Sequence, residues 1–156
     1  MGTERKRLTA LRITRAPGGV ALLVVGGIHL EQYTVAHFST IPTIGTLFLL
    51  NFAGATSLGL WLLVPIGRGG YRRWRLFADA AAALGGIGVA AGALIALLIS
   101  ETEPLFGFME YGYRPQIVIA LVSEAVAILL LGAFLVLAAG PARGLRKPGS
   151  ARPVSV

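Results

Sequence analysis

The stretch AAALGGIGVAAGALIA, residues 81–96, decides the fold class of this chain. It holds no charged or amide side chain, and apolar residues flank it over about 76–99, with Asp79 near the start. A transmembrane helix needs about 20 mostly apolar residues to cross the hydrocarbon core of a bilayer. The sequence therefore predicts that this stretch spans a membrane.

Three other stretches have the same length and character. The chain has 156 residues, of which 55% are hydrophobic and 13% charged, and its mean hydropathy is +0.75. An ordinary soluble domain has about 25% charged residues. We therefore expect an all-α integral membrane bundle of four transmembrane helices. The four spans are expected at about 17–36, 41–65, 76–99 and 116–139.

The remaining segments are short and basic. Residues 1–16 are expected to form a basic N-terminus, and 17–139 the transmembrane domain. Residues 140–156 combine Pro, Gly, Ser and basic residues without apolar periodicity, so we expect a basic disordered tail. These remnants are too small to form a soluble domain.

The positions of the basic residues predict the topology. Of 14 Lys and Arg, all except Arg114 precede the first span, separate spans two and three, or follow span four. Short basic loops stay on the cytoplasmic side, so both termini are expected to be cytoplasmic, in a bacterial plasma membrane. The net charge of +7 then indicates contact with anionic lipid at the inner flanks, and no nucleic-acid partner. The lipid-binding candidates are Arg72, Arg73, Trp74 and Arg75.

Small residues recur along one stripe of the third span. Helices in lipid approach closely where small residues are spaced by three or four. Gly88 and Gly92 form a GxxxG pair, and the third span is therefore expected to be the most closely packed helix. The full stripe is Ala81, Gly85, Gly88, Gly92 and Ala96.

Three polar side chains are predicted at a similar depth in three spans. From a helical rise of 1.5 Å per residue, His29 lies about 11 Å, Glu124 about 12 Å and Asn51 about 14 Å from the outer end of its span. An ionised carboxylate at such a depth is costly, by about 3 kcal/mol or more, unless it is paired or hydrated. His29 and Asn51 are therefore the expected partners of Glu124.

Tyr33 and His37 follow His29 at helical spacing. On one continuous helix, His29, Tyr33 and His37 would form a stripe that rises toward the outer surface, while Glu31 faces another side. Tyr33 is therefore predicted to join the polar cluster of His29, Asn51 and Glu124. The outer-face candidates are Glu31, His37, Glu110 and Arg114.

The polar cluster has two interpretations. It is either a hydrated pocket, in which Glu124 and His29 exchange a proton or hold a polar ligand, or a sealed hydrogen-bond contact between helices. A metal site is not expected, because His29 and His37 would lie about 12 Å apart along one helix. Two histidines on one stripe also cannot hold a haem iron from opposite sides. No cofactor is expected.

Asp79, near the start of the third span, has Arg75 four residues before it and Arg72 seven residues before it. Acidic residues stabilise helix N-termini, and opposite charges four residues apart on a helix attract. A capping and salt-bridge role is expected for Asp79.

Three stretches carry a resemblance to known proteins: GIHLEQY at 27–33, IPTIGTLFLLN at 41–51 and PLFGFMEYGYRPQIVIALVSEAVAILLL at 104–131. In these the chain resembles small four-span membrane proteins of high-GC bacteria that have no assigned activity. In size and topology it is also similar to DoxX-type four-span proteins. The resemblance implies a four-helix architecture and residence in the inner membrane, and it assigns no catalytic residue.

Three functions are compatible with these features. The leading expectation is a non-enzymatic accessory or structural subunit, present as a homo-oligomer or in a larger membrane complex. The alternative is a small proton-coupled transporter or channel component in which Glu124 titrates. A quinone-linked oxidoreductase component, with quinone near His29 and Tyr33, is a remote third possibility.

Overall fold

The computed structural model describes residues 2–65, 73–110, 112 and 114–140. Four α-helices dominate this part of the chain, and each is long and apolar enough to cross a membrane, which confirms the predicted all-α architecture of four apolar helices. Arg72 and residues 141–156 of the expected tail lie outside the described residues. The helices are α1 (Gly2–Thr34), α2 (Pro42–Leu63), α3 (Arg73–Ser100) and α4 (Pro115–Ala139), and a 3-10 helix (Phe38–Thr40) lies between α1 and α2.

Proline marks the start of two helices and lies inside a third. Pro42 and Pro115 occupy the first turns of α2 and α4, where the missing N–H leaves no intrahelical bond unmade. The first span was expected to start at residue 17, but α1 begins at Gly2 and continues through Pro17 without a break. The basic N-terminal segment therefore extends the first span as a helix.

Each helix packs against two neighbours around the bundle. α1 lies between α2 and α4, α3 closes the ring by packing on the same two helices, and α1 and α3 face each other across it. We call the end where α1 begins and α4 ends the terminal end. The opposite end, formed by residues 35–41, 101–110, 112 and 114, is the loop end. The most deeply buried large apolar side chains are Leu22, Val25, Leu62, Leu131 and Phe134.

The backbones of α1 and α2 approach closely at Gly19 and Gly59. A Cβ added to Gly59 would lie 2.8 Å from the backbone oxygen of Gly19, so neither backbone leaves room for a side chain there. On α3 the tight position is Gly86, where a Cβ would lie 2.6 Å from Cδ1 of Leu22. Because Gly86 lies beside the predicted stripe, small-residue spacing alone did not identify it.

The structure corrects the packing role predicted for the α3 stripe. Cβ atoms added to Gly88 and Gly92 would meet nothing within 4 Å, and at Gly85 the nearest contact would be a side-chain atom of Leu58, at 3.2 Å. The physical reason is that α2 contacts α3 at other positions, Leu58 at Gly85 and Gly54 at Val89, and a cavity lies beside α3 toward the loop end. Gly88 and Gly92 border that cavity instead of a helix contact.

A buried polar cluster joins three helices at the terminal end. Asp79 is fully buried and accepts bonds from Arg15 of α1 at 3.0 Å, from Arg75 at 2.8 Å and from the indole N–H of Trp61 at 3.1 Å. The salt bridge expected with Arg75 is present, but Asp79 lies beyond the first turn of α3 and does not cap it. Arg75 also stacks over the Trp61 ring, 4.8 Å from its centroid.

Arginines from α1 and α3 also satisfy the C-terminal carbonyls of α2 and α4. The last carbonyls of a helix have no intrahelical partner, and cations stabilise that end. Arg15 and Arg75 both donate to the backbone oxygen of Val64, at 3.1 and 3.2 Å. The Arg7 guanidinium donates to three carbonyls at the end of α4, those of Leu137, Ala138 and Gly140, at 3.2, 3.1 and 3.0 Å. Arg7, Arg15 and Arg75 therefore hydrogen-bond to carbonyls at the C-terminal ends of α2 and α4.

Candidate functional site

A cavity of about 440 Å³ lies among the four helices toward the loop end. Most of its wall is apolar, and small-molecule sites in proteins are typically apolar clefts of about 300–1,000 Å³ with a few placed polar groups. His29, Asn51 and Glu124 all line this cavity, each from a different helix. The structure therefore places together the three residues that the depth estimate grouped.

Glu124 lies in the cavity wall with one oxygen unpartnered. The residue is 1% exposed, and within the described chain its Oε2 has no hydrogen-bond partner. Its Oε1 lies 4.0 Å from Nε2 of His29, which is beyond hydrogen-bond distance. A buried polar group without a partner is costly, so Glu124 is a site where a bound polar group would be stabilised.

The backbone fixes which nitrogen of His29 faces Glu124. Nδ1 lies 2.8 Å from the carbonyl oxygen of Val25, an acceptor only, so Nδ1 carries the proton. In a neutral ring Nε2 is then an acceptor, and in a charged ring it is a donor. The imidazole thus presents Nε2 toward the carboxylate in either state.

Asn51 offers a second unpartnered oxygen. Its Nδ2 donates to the backbone oxygen of Val89 on α3 at 3.4 Å, which assigns the amide orientation. Oδ1 is buried and has no hydrogen-bond partner in the described part of the chain. Asn51 and Glu124 each lie nine residues after a helix-starting proline, Pro42 and Pro115 respectively. The equal spacing explains their similar depth.

A row of aromatic rings runs from His29 to the loop end. The centroid of the His29 ring lies 5.3 Å from that of Phe48, and Phe48 stacks on Phe38 at 5.1 Å. Phe38 in turn meets Phe108 edge-on at 5.1 Å. The sequence did not identify Phe38 and Phe48 as part of this row, because the four rings come from α1, the 3-10 helix, α2 and the α3–α4 connection.

A tight hairpin turn brings Phe108 over the cavity. Leu105 and Phe108 exchange two backbone hydrogen bonds, of 2.8 and 3.0 Å, and both line the cavity. The two residues between them, Phe106 and Gly107, have φ of 52° and 81°, as a two-residue type I′ turn requires. This turn covers the cavity from the loop end.

The outer-face candidates Glu110 and Arg114 form an ion pair at the cavity rim. The Arg114 guanidinium lies 3.1 Å from a Glu110 carboxylate oxygen, and it also donates to the amide oxygen of Gln32 at 3.5 Å. Gln32 in turn donates to Glu31. Gln32 follows His29 by three positions on α1, and that helical spacing is the signal that the sequence analysis overlooked.

His37 and Tyr33 do not extend the polar stripe. α1 ends at Thr34, and His37 is exposed, with a left-handed φ of 61° that directs the chain into the 3-10 helix. The prediction of one continuous helix through His37 is therefore wrong. Tyr33 is half-buried and does not line the cavity. The α1–α2 connection folds back at once because Gly45 lets the backbone oxygen of Phe38 approach closely.

The exposed residues of the cavity wall lie on α2 and α3, which indicates an opening between these two helices. Leu50 lines it and is 62% exposed, and Gly88 and Gly92 line it from α3 and are exposed as well. If the helices span a bilayer, this opening lies among lipid chains. An apolar molecule then reaches the cavity from the membrane without crossing the polar rim.

No metal-ligand group forms in the described residues, where no three His, Asp, Glu or Cys side chains come together. In comparisons with known proteins, no family model, no curated protein and no solved structure matches the chain.

Proposed function

We propose that the chain is a multi-pass membrane protein that binds a small amphipathic molecule in the cavity between its four helices and catalyses no reaction itself. The observation that carries this proposal is the buried Oε2 of Glu124, which has no hydrogen-bond partner among the described residues and lies in a mostly apolar cavity. A sealed structural lock would pair that oxygen, because half-satisfied buried polar groups destabilise a fold. A bound polar group would supply the missing partner.

We also propose in which membrane the chain resides and which end of the bundle faces the cytoplasm. In the sequence, thirteen of the 14 Lys and Arg precede the first span, separate spans two and three or follow span four, and Arg114 alone lies between spans three and four. By the positive-inside rule, the terminal end is cytoplasmic and the cavity lies in the outer half of a bacterial plasma membrane.

The proposed role is that of an accessory subunit. The exposed GxxxG pair, Gly88 and Gly92, offers a surface on which a second copy or a partner helix packs closely. In such an assembly the cavity opening would be bounded by that neighbour as well as by lipid. The partners are thus anionic lipid at the cytoplasmic flanks and either further copies or another membrane subunit.

The test is ligand retention by a cavity-filled variant. Gly92→Leu adds a side chain at the cavity, and Gly27→Leu is its control, because Gly27 is also an exposed helical glycine with open space around it and does not line the cavity. Native mass spectrometry of each purified protein would measure co-purified small molecules. Wild type and Gly27→Leu should retain a bound amphiphile that Gly92→Leu loses. Equal occupancy in all three proteins would contradict the proposal.

Proton-coupled transport is a second candidate, favoured by the 4.0 Å separation of Glu124 Oε1 and His29 Nε2 in the cavity. In this case Glu124 changes protonation during each cycle, and Glu124→Gln abolishes proton movement. Proton uptake into proteoliposomes, followed with a pH-sensitive dye, would distinguish the candidates. A binding-only subunit moves no protons in either form.

A further inference from the structure

The polar groups of the cavity are mostly hydrogen-bond acceptors. Oε2 of Glu124 and Oδ1 of Asn51 are buried acceptors without partners in the described part of the chain. Nε2 of a neutral His29 is a third, since Nδ1 donates to Val25. Gln116, which also lines the cavity, carries both a donor and an acceptor. With Glu124 ionised, the site is therefore deficient in donors.

The charged groups around the cavity also leave the Glu124 carboxylate without a paired cation. Arg114, the cation nearest the rim, is engaged by Glu110 at 3.1 Å and by Gln32 at 3.5 Å. Within the described residues, the basic side chain that approaches the Glu124 carboxylate is His29, whose Nε2 lies 4.0 Å from Oε1. An ionised Glu124 thus has no full positive charge in hydrogen-bond contact. A buried carboxylate is stabilised when a cation pairs with it.

Resting on the proposed function, we infer that the ligand is a lipophilic amine, whose ammonium group is held by Glu124, Asn51 and His29. An ammonium has three N–H donors and no acceptor, which matches three acceptors presented by three helices. Carboxylate and phosphate head groups offer only acceptors and would be repelled by Glu124. A hydroxyl has one donor and no charge, so it satisfies the site only in part.

The rest of the cavity fits the apolar body of such a molecule. Phe48 and Val89 line it, and the exposed lining residue Leu50 borders its opening between α2 and α3. A volume of about 440 Å³ accommodates a chain of eight carbons, and the sideways opening leaves room for a longer chain to extend into lipid. The amine would enter from the membrane with its charged group directed inward.

Three probes of equal chain length test the ligand class: n-octylamine, n-octanol and octanoate. Binding to the full chain in lipid nanodiscs would be measured by titration calorimetry, with empty nanodiscs subtracted to remove partitioning into lipid. Octylamine should bind at one site, roughly tenfold more tightly than octanol, because charge-assisted hydrogen bonds contribute more than neutral ones. Octanoate should not bind.

Variants identify the group responsible. Glu124→Gln should weaken octylamine binding roughly tenfold or more and leave octanol affinity within about twofold. Glu103→Gln is the matched control, since Glu103 is exposed and does not line the cavity, and it should change neither affinity. If Glu124→Gln loses the circular dichroism spectrum of the wild type, the ranking of the three probes on wild type decides the question alone.

The outcomes separate the two proposals. If none of the three probes binds, the cavity holds no simple amphiphile, and the proposed function fails together with this inference. If octanol or octanoate binds as tightly as octylamine, or if Glu124→Gln binds octylamine as wild type does, the binding function stands and the amine class is wrong.

Discussion

Arg15 and Asp79 form a buried ion pair across the diagonal of the bundle, with 3.0 Å between Nη1 and Oδ2. Arg15 belongs to α1 and Asp79 to α3, two helices that otherwise barely touch. Both residues are buried, at 4% and 0% exposure. The pair therefore fixes the relative position of two helices that apolar packing leaves largely unconnected.

Asp79→Asn should destabilise the protein strongly. The amide keeps an oxygen for Trp61 but removes the charge that compensates Arg15 and Arg75. Breaking a buried ion pair by removing one partner costs about 3–5 kcal/mol. The free energy of unfolding in detergent micelles would measure the effect, and a double-mutant cycle with Arg15→Gln would isolate the pair. A coupling energy near zero would show that the diagonal contact is incidental.

Arg7→Gln should loosen the end of α4. The variant loses three guanidinium contacts to the carbonyls of Leu137, Ala138 and Gly140. Capping and charge effects at a helix C-terminus contribute about 1 kcal/mol, so amide exchange in the last turn of α4 should accelerate roughly fivefold. Arg12→Gln is the control, because Arg12 is an exposed arginine of the same helix. Equal exchange in both variants would contradict the capping role.

Gly45→Ala should destabilise the α1–α2 connection. A Cβ at Gly45 would lie 2.8 Å from the backbone oxygen of Phe38, so the 3-10 helix must move. Overpacking of this kind costs about 1–3 kcal/mol. In Gly27→Ala the Cβ meets nothing within 4 Å, and alanine should instead stabilise the helix by about 0.5–1 kcal/mol. Melting temperatures that shift in the same direction for both variants would rule out this explanation.

The sequence predicted the four helices and the main cavity residues because each follows from local rules. Hydrophobic length predicted the spans, and helical rise predicted the depth of His29, Asn51 and Glu124. These quantities depend on one helix at a time, so a single sequence determines them.

The errors and omissions arose where two helices or a turn decide the outcome. The left-handed conformation of His37 ends the stripe on α1, and it follows from a turn that no hydrophobic pattern specifies. The exposure of Gly92 depends on where the packing contact between α2 and α3 ends. The Arg15–Asp79 contact depends on which two helices lie diagonally across the bundle. Such contacts require the packed bundle.

Phe108→Ala should release the hairpin that covers the cavity. The variant loses the edge-on contact with Phe38, and aromatic pairs contribute about 0.5–1.5 kcal/mol beyond their buried area. Amide exchange at residues 105–108 should accelerate roughly tenfold. Phe106→Ala is the control, because Phe106 in the same turn is 61% exposed. Similar acceleration in both variants would show that the aromatic row does not hold the hairpin.

The proposed topology predicts opposite accessibility for the two ends of the bundle. The chain contains no cysteine, so a single introduced thiol reports on its own position without background. Glu103 and Gly2 are exposed at the loop end and the terminal end, respectively. In intact cells a membrane-impermeant maleimide should label Glu103→Cys and not Gly2→Cys, and permeabilisation should expose Gly2→Cys. Labelling of Gly2→Cys alone in intact cells would reverse the orientation and move the cavity to the cytoplasmic half of the membrane. Labelling of both thiols in sealed cells would contradict the three spans between Gly2 and Glu103, which place the two residues on opposite sides of the membrane. A cytosolic marker protein must therefore stay unlabelled in the intact Gly2→Cys cells.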